Sequence, residues 1–371
     1  MNVNSLNKKT YLEIMRAIAI IFVLFNHSLG FTLFFKFNPW SFNFFTALIL
    51  SLFCRFAVPL FFMISGALTL KRNYSVKDLI NKFLLFASIL VIWSAVYYIR
   101  DRVIHHLPWY TWASCKEFIK TLYSKNHSPH LWFLYAYLAF IASIPFLQSM
   151  CSKLENRWFK FMAVIGTGFS ILAMLEYALF RGSTTINPNI KPKWMLYMMF
   201  FYPCLGYYLD HRISTKNIHW NKIILLWVLN FAILLLGAYV TTLKSINLGS
   251  PTEVTPEVFH FDMHASIICA PVIFVSIKKL FAVSEEQQVK PVETKLLTML
   301  KWIGNNSFGI YLLHLLIQDL ACMKNLYFCV LHRRIFFHHM ISVLFFVVIL
   351  TFICGLITSL LRRIPVIRRL I

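Results

Sequence analysis

About ten apolar blocks, each long enough to cross a bilayer, recur along this 371-residue chain. In hydrocarbon a backbone must satisfy its own hydrogen bonds, so blocks of this length are helices. The sequence therefore predicts an all-α polytopic membrane protein of about ten transmembrane helices. The spans fall at 12–35, 44–70, 79–99, 131–149, 161–180, 193–210, 221–243, 259–280, 302–322 and 335–361. Hydrophobic residues make up 59% of the chain and charged ones only 13%, against about 25% charged in soluble proteins. Short connections leave one domain over 1–371, with two sizeable loops, 100–130 outside and 281–301 in the cytoplasm.

The formal charge of +22 belongs to topology before it belongs to any partner. No Lys/Arg tract accompanies a nucleic-acid module, so nucleic acid is not an expected partner. Basic residues cluster in KRNYSVK (71–77), SKLENRWFK (152–160) and the tail LRRIPVIRRL (361–370), which places those segments and both termini inside. The first apolar run is too long for a signal-peptide core and has no convincing cleavage site. Helical spans point to an inner membrane, since outer-membrane proteins are usually barrels. The eight cysteines form no CxxC pair, and no disulfide is expected.

Polar side chains inside the spans are the candidates for chemistry, because they are costly there. The first span carries Arg16 and, eleven residues later, His27. That step returns to within roughly 20° of the same helix face with a rise of about 16 Å, so the two can line one seam. Arg16 fits either a positive-inside anchor or a contact to an anionic ligand, and His27 either a helix–helix hydrogen bond or a proton-handling group. In the second span Arg55 has no acidic neighbour in sequence, and its guanidinium fork suits phosphate or carboxylate recognition, which makes it a donor-binding candidate. Pro59 leaves the Arg55 carbonyl without its usual helical donor. His130, Trp132, Tyr135 and Tyr137 open the fourth span, as an aromatic belt or a stacking surface for a sugar or lipid headgroup. His260 and His264 share a helix face with Asp262 between them, but no third ligand is assignable by spacing, and no metal site is expected. Asp262 is more simply a counter-charge for Arg55 or a histidine-orienting group. The ninth span holds Tyr311 and His314, with His314 at a depth matching that of His27.

An imidazole can act as a general base near neutrality. Basic groups on the inner side suit the phosphates of a cytosolic donor, and aromatic groups on the outer side suit a sugar. The residues alone leave two classes open, a transmembrane group-transfer enzyme and a proton-coupled carrier.

The segments YLEIMRAIAIIFVLFNH (11–27), VPLFFMISGAL (58–68), HLWFLYAYLAFIASIP (130–145) and SFGIYLLHLLI (307–317) resemble, in order, those of the bacterial integral-membrane acyltransferase family 3. RFAVPLFFMISG (55–66) and HLWF (130–133) look most like the WecH-type O-acetyltransferases of enterobacterial common antigen. The resemblance implies an inner-membrane enzyme that moves an acyl group from acetyl-CoA or another acyl-CoA to a hydroxyl of a cell-surface or polyprenyl-linked glycan. Acyl-CoA would be a co-substrate, with no tightly bound cofactor. It makes His27 the essential histidine, Arg16 a donor-positioning residue and Arg55 the arginine of the second span. Tyr311 and His314 carry over as cavity residues. The rival is a proton-coupled glycolipid transporter or flippase, against which stands the lack of an acidic relay. Acids within or at the edges of spans include Glu13, Glu176, Asp262 and Asp319.

Overall fold

The structure, a computed structural model, describes residues 3–30, 38, 41–180, 198–214, 218–247, 258–286, 294–332 and 339–371. Every regular element among the described residues is helical. Helix α1 (Val3–Phe25) runs into a π-helical turn (Asn26–Gly30). Next, α2 (Phe42–Phe53), a 3-10 turn (Cys54–Phe56) and α3 (Ala57–Thr69) form one interrupted rod. Then come α4 (Val76–Ile104), α5 (Trp112–Ser124), a 3-10 turn (Pro129–Leu131) and α6 (Trp132–Lys153). The chain continues through α7 (Asn156–Phe180), α8 (Met198–His211), α9 (Trp220–Asn247) and α10 (Val258–Glu286). It ends with α11 (Lys295–Gln318), α12 (Ala321–His332), α13 (His339–Leu361) and a last 3-10 turn (Ile367–Arg369).

Six stretches among the described residues are long and apolar enough to cross a membrane: Thr10–Ser28, Phe42–Thr69, Val76–Ile104, Pro129–Lys153, Trp220–Val240 and Met340–Leu361. Several expected boundaries shift. The rod at 42–69 breaks at Cys54–Phe56, where Pro59 cannot donate to the Arg55 carbonyl. Much of the expected cytoplasmic loop 281–301 is helix, because α10 continues to Glu286 and α11 begins at Lys295. The expected outer loop 100–130 begins with the end of α4 and contains α5. Asp319 caps α11, and α12 follows where a plain loop was expected.

Lipid tails are as apolar as leucine, so helices inside a membrane associate through close fit and interhelical hydrogen bonds. Helix α1 is the hub, packed against α3, α10, α11 and α13, with Met15, Ile20, Leu24 and Phe25 fully buried. Its contact with α11 is set by Gly304, where an added Cβ would collide with the Glu13 backbone. Gly66 and Gly206 bring the backbones of α3 and α8 equally close. Tyr11 donates to Asp210, tying α1 to α8. By contrast, α4 turns Leu84, Val91 and Ile99 outward, and α9 turns out Ile224, Leu225 and Val228, as lipid-facing helices do. At the end of α4, Arg102 pairs with Glu117 of α5 at 3.1 Å, and Arg100 reaches Asp319 at 2.8 Å. Asp319 is therefore an interhelical clamp.

Candidate functional site

Three helices deliver three imidazoles to one place. His27 stands in the π-helical turn that ends α1, a distortion that often marks a functional position. His130 stands in the turn that opens α6. His314 lies four residues before the end of α11. The ring centroid of His27 is 5.2 Å from that of His314 and 6.2 Å from that of His130, and the latter two are 4.9 Å apart.

The surroundings fix two of these rings. His314 Nδ1 lies 2.7 Å from the Tyr311 carbonyl. A carbonyl only accepts, so neutral His314 carries its proton on Nδ1 and a lone pair on Nε2. His130 Nδ1 lies 2.9 Å from Ser128 Oγ. Tyr311 donates its hydroxyl to the His130 carbonyl at 2.7 Å. Tyr97 packs its ring 4.9 Å from that of His130 and donates to the Leu312 carbonyl at 2.8 Å. Nε2 of His130 and Nε2 of His314 are buried with no hydrogen-bond partner among the described residues. Buried polar atoms are nearly always paired, so two orphaned imidazole nitrogens beside a third histidine need a reason.

A cavity of about 300 Å³ touches His27 and His130 at one end and Arg16, Asn305 and Arg362 at the other. It therefore extends along α1 for about 16 Å. Phe61, Ser65, Phe86, Phe133, Tyr137 and Phe308 line its length. Arg362, just past the end of α13, is held at the cavity mouth by the Asn305 carbonyl at 2.7 Å and by Asn306 Oδ1 at 3.2 Å. Burial, then the neighbouring Arg368, lowers its pKa, yet a guanidinium stays charged at neutral pH. The chemistry available is a proton acceptor at one end, fixed cations at the other, and an apolar aromatic passage between them.

Of the residues singled out from sequence, Arg16, His27, His130, Trp132 and Tyr311 line this cavity. His314 supports the cluster from behind. Arg55 sits in the 3-10 turn, outside the cavity wall. Asn26 links the two distorted turns by donating to the Cys54 carbonyl at 3.5 Å. Tyr135 is elsewhere, with its hydroxyl on the Leu122 carbonyl of α5 at 2.9 Å. The side chains of Asp262, His260, His264 and Glu176 lie outside the described residues.

Sequence reasoning missed Arg362 and Asn305 as cavity residues; it left His130 and Tyr137 between an interfacial belt and a stacking surface, and both line the cavity, His130 with a buried side chain. The signal in NHSPH was a serine and a proline just before a histidine, which here build the turn that points the ring inward. Removing the Tyr311 hydroxyl leaves the His130 carbonyl without its side-chain donor. Tyr311→Phe is expected to destabilise the protein by about 1 kcal/mol and to lower turnover roughly tenfold, since about 1.4 kcal/mol is tenfold in rate. Thermal unfolding and single-substrate kinetics on the purified variant check both.

The family model for the acyltransferase domain, acyltransferase family 3, matches residues 9–361. No curated protein and no solved structure matches the chain.

Proposed function

Because the chain belongs to acyltransferase family 3, and so is an acyltransferase with several apolar membrane-crossing helices, we propose that it moves an acetyl group from acetyl-CoA to a glycan hydroxyl across a bacterial inner membrane. In this reading about ten helices span the bilayer with both termini in the cytoplasm. The donor enters past Arg16 and Arg362, and a lipid-linked or surface glycan meets its thioester at His27. The likeness of 55–66 and 130–133 to the WecH-type enzymes supports acetyl as the group and a glycan as the acceptor.

The observation that carries the reading is one cavity with fixed cations at one end and clustered imidazoles at the other. His27 takes the proton from the acceptor hydroxyl, whose oxygen attacks the thioester carbonyl. The C–O bond forms, the C–S bond breaks, and the coenzyme thiolate leaves with the proton that His27 returns. With Ser128 donating to its Nδ1, His130 carries a proton on Nε2 and donates to the developing oxyanion, where such a donor is most effective. The Nε2 lone pair of His314 supports His27 as it becomes cationic. Tyr311 already donates to the His130 carbonyl, so it positions His130.

Mass spectrometry of glycans from cells with and without the protein tests the reading. A mass increment of one acetyl group that appears only with the protein supports it. Glycans of unchanged mass whose distribution across the membrane changes would replace it with the proton-coupled transporter.

A further inference from the structure

Beyond Leu361 the chain does not trail away. It turns back through Pro365 into the last 3-10 turn, with the Arg368 amide on the Ile364 carbonyl at 2.9 Å and the Leu370 amide on the Ile367 carbonyl at 2.8 Å. The fold-back brings Arg368 close enough to Arg362 to act on its ionisation. A second cavity, of about 480 Å³, lies here against Ser359, Arg362, Arg363, Arg368 and Ile371. None of these arginines forms an ion pair among the described residues. Like charges gathered by a fold repel one another unless an anion sits among them.

Two features separate this arrangement from arginines that merely set topology. A topological arginine needs only to lie on the correct side of the membrane, whereas Arg362 is oriented by two hydrogen bonds to α11. Arg362 also lines both cavities, the basic one and the passage leading to His27. A ligand with several phosphates at one end and a slender arm at the other matches that pair of compartments. The guanidinium fork suits phosphate oxygens.

We propose that Arg362, Arg363 and Arg368 form the docking site for the phosphate groups of a nucleotide-bearing donor, with Arg362 at the threshold where its arm enters the passage past Arg16. The assignment of that donor as acetyl-CoA rests on the function proposed above. Phosphate oxygens are also carried by lipid headgroups, and the test separates the two sources.

The full chain is placed in nanodiscs of phosphatidylcholine alone. Binding of acetyl-CoA, adenosine 3′,5′-bisphosphate and S-acetylpantetheine is measured for the wild type and for Arg363→Gln/Arg368→Gln, which leaves the cavity residue Arg362 in place. The expected result is a loss of roughly 10- to 100-fold in the affinity for the two phosphate-bearing probes. S-acetylpantetheine, which has no phosphate, binds both proteins alike. Equal binding of acetyl-CoA by variant and wild type overturns the docking site and leaves the donor reading standing. If the wild type binds the bisphosphate through these arginines but binds neither acetyl-CoA nor S-acetylpantetheine, the phosphate site stands and acetyl-CoA falls as the donor. A wild type that binds no phosphate-bearing probe overturns the proposal. So does a variant that keeps nucleotide affinity but no longer retains phosphatidylglycerol during purification, which would assign the arginines to a lipid headgroup.

Discussion

Replacing His27 with alanine is expected to lower acyl transfer by about 10²- to 10⁴-fold, the contribution typical of a positioned general base, while the protein still folds. His27 is half-buried and faces the cavity, so alanine widens an existing space and opens no new void in packed helix. A glutamine at the same position is the sharper probe. It fills much of the space and can hydrogen-bond, but it cannot accept a proton near neutral pH. If His27 only positions the acceptor, His27→Gln recovers much of the activity. As a base, it recovers almost none. Turnover of each purified variant is read beside its thermal unfolding, so that a folding defect is not mistaken for a chemical one. Activity within about threefold of wild type in His27→Ala would remove this residue from the chemistry, since a base is worth far more than that.

Sequence carried the seam of Arg16 and His27 because helix geometry is local. An eleven-residue step returns to the same face whatever surrounds it, and both residues line one cavity. The freed Arg55 carbonyl was legible for a similar reason, since Pro59 acts on its own turn, although the break at Cys54–Phe56 that accompanies it was not expected. The meeting of His27 and His314 was only half visible. Matching depth allows two rings to meet, whereas the packing of α1 on α11 brings them to 5.2 Å. Arg362 was hidden, and the inward aim of His130 was left open, because each lies at the edge of an apolar block. There, hydropathy cannot tell an interfacial side chain from one that a turn directs inward. The ends of the expected connection at 281–301 are helical, with 287–293 outside the described residues. Its polar residues ended the apolar pattern, but a helix can continue beyond hydrocarbon, and α10 and α11 do so.

Gly304→Ala should damage both stability and chemistry, although it adds a single methyl group. The new Cβ meets the Glu13 backbone, and a main chain inside a helix cannot swing aside as a flexible side chain can. Relief requires α1 and α11 to separate. Overpacking typically costs about 1–3 kcal/mol, and an obstacle of backbone atoms places this variant at the upper end. Separation also pulls His27 away from His314, and a shift of about 1 Å at a reacting centre can cost about 10²-fold in rate. Gly168 on α7 provides the control, since a Cβ added there would meet nothing within 4 Å. Gly168→Ala should therefore gain up to about 1 kcal/mol from helix propensity and keep full activity. Melting temperature and turnover are measured on both proteins at equal membrane level. A Gly304→Ala protein that melts and turns over like wild type would mean that α1 and α11 do not pack through this contact, and the imidazole cluster built on it would lose its support.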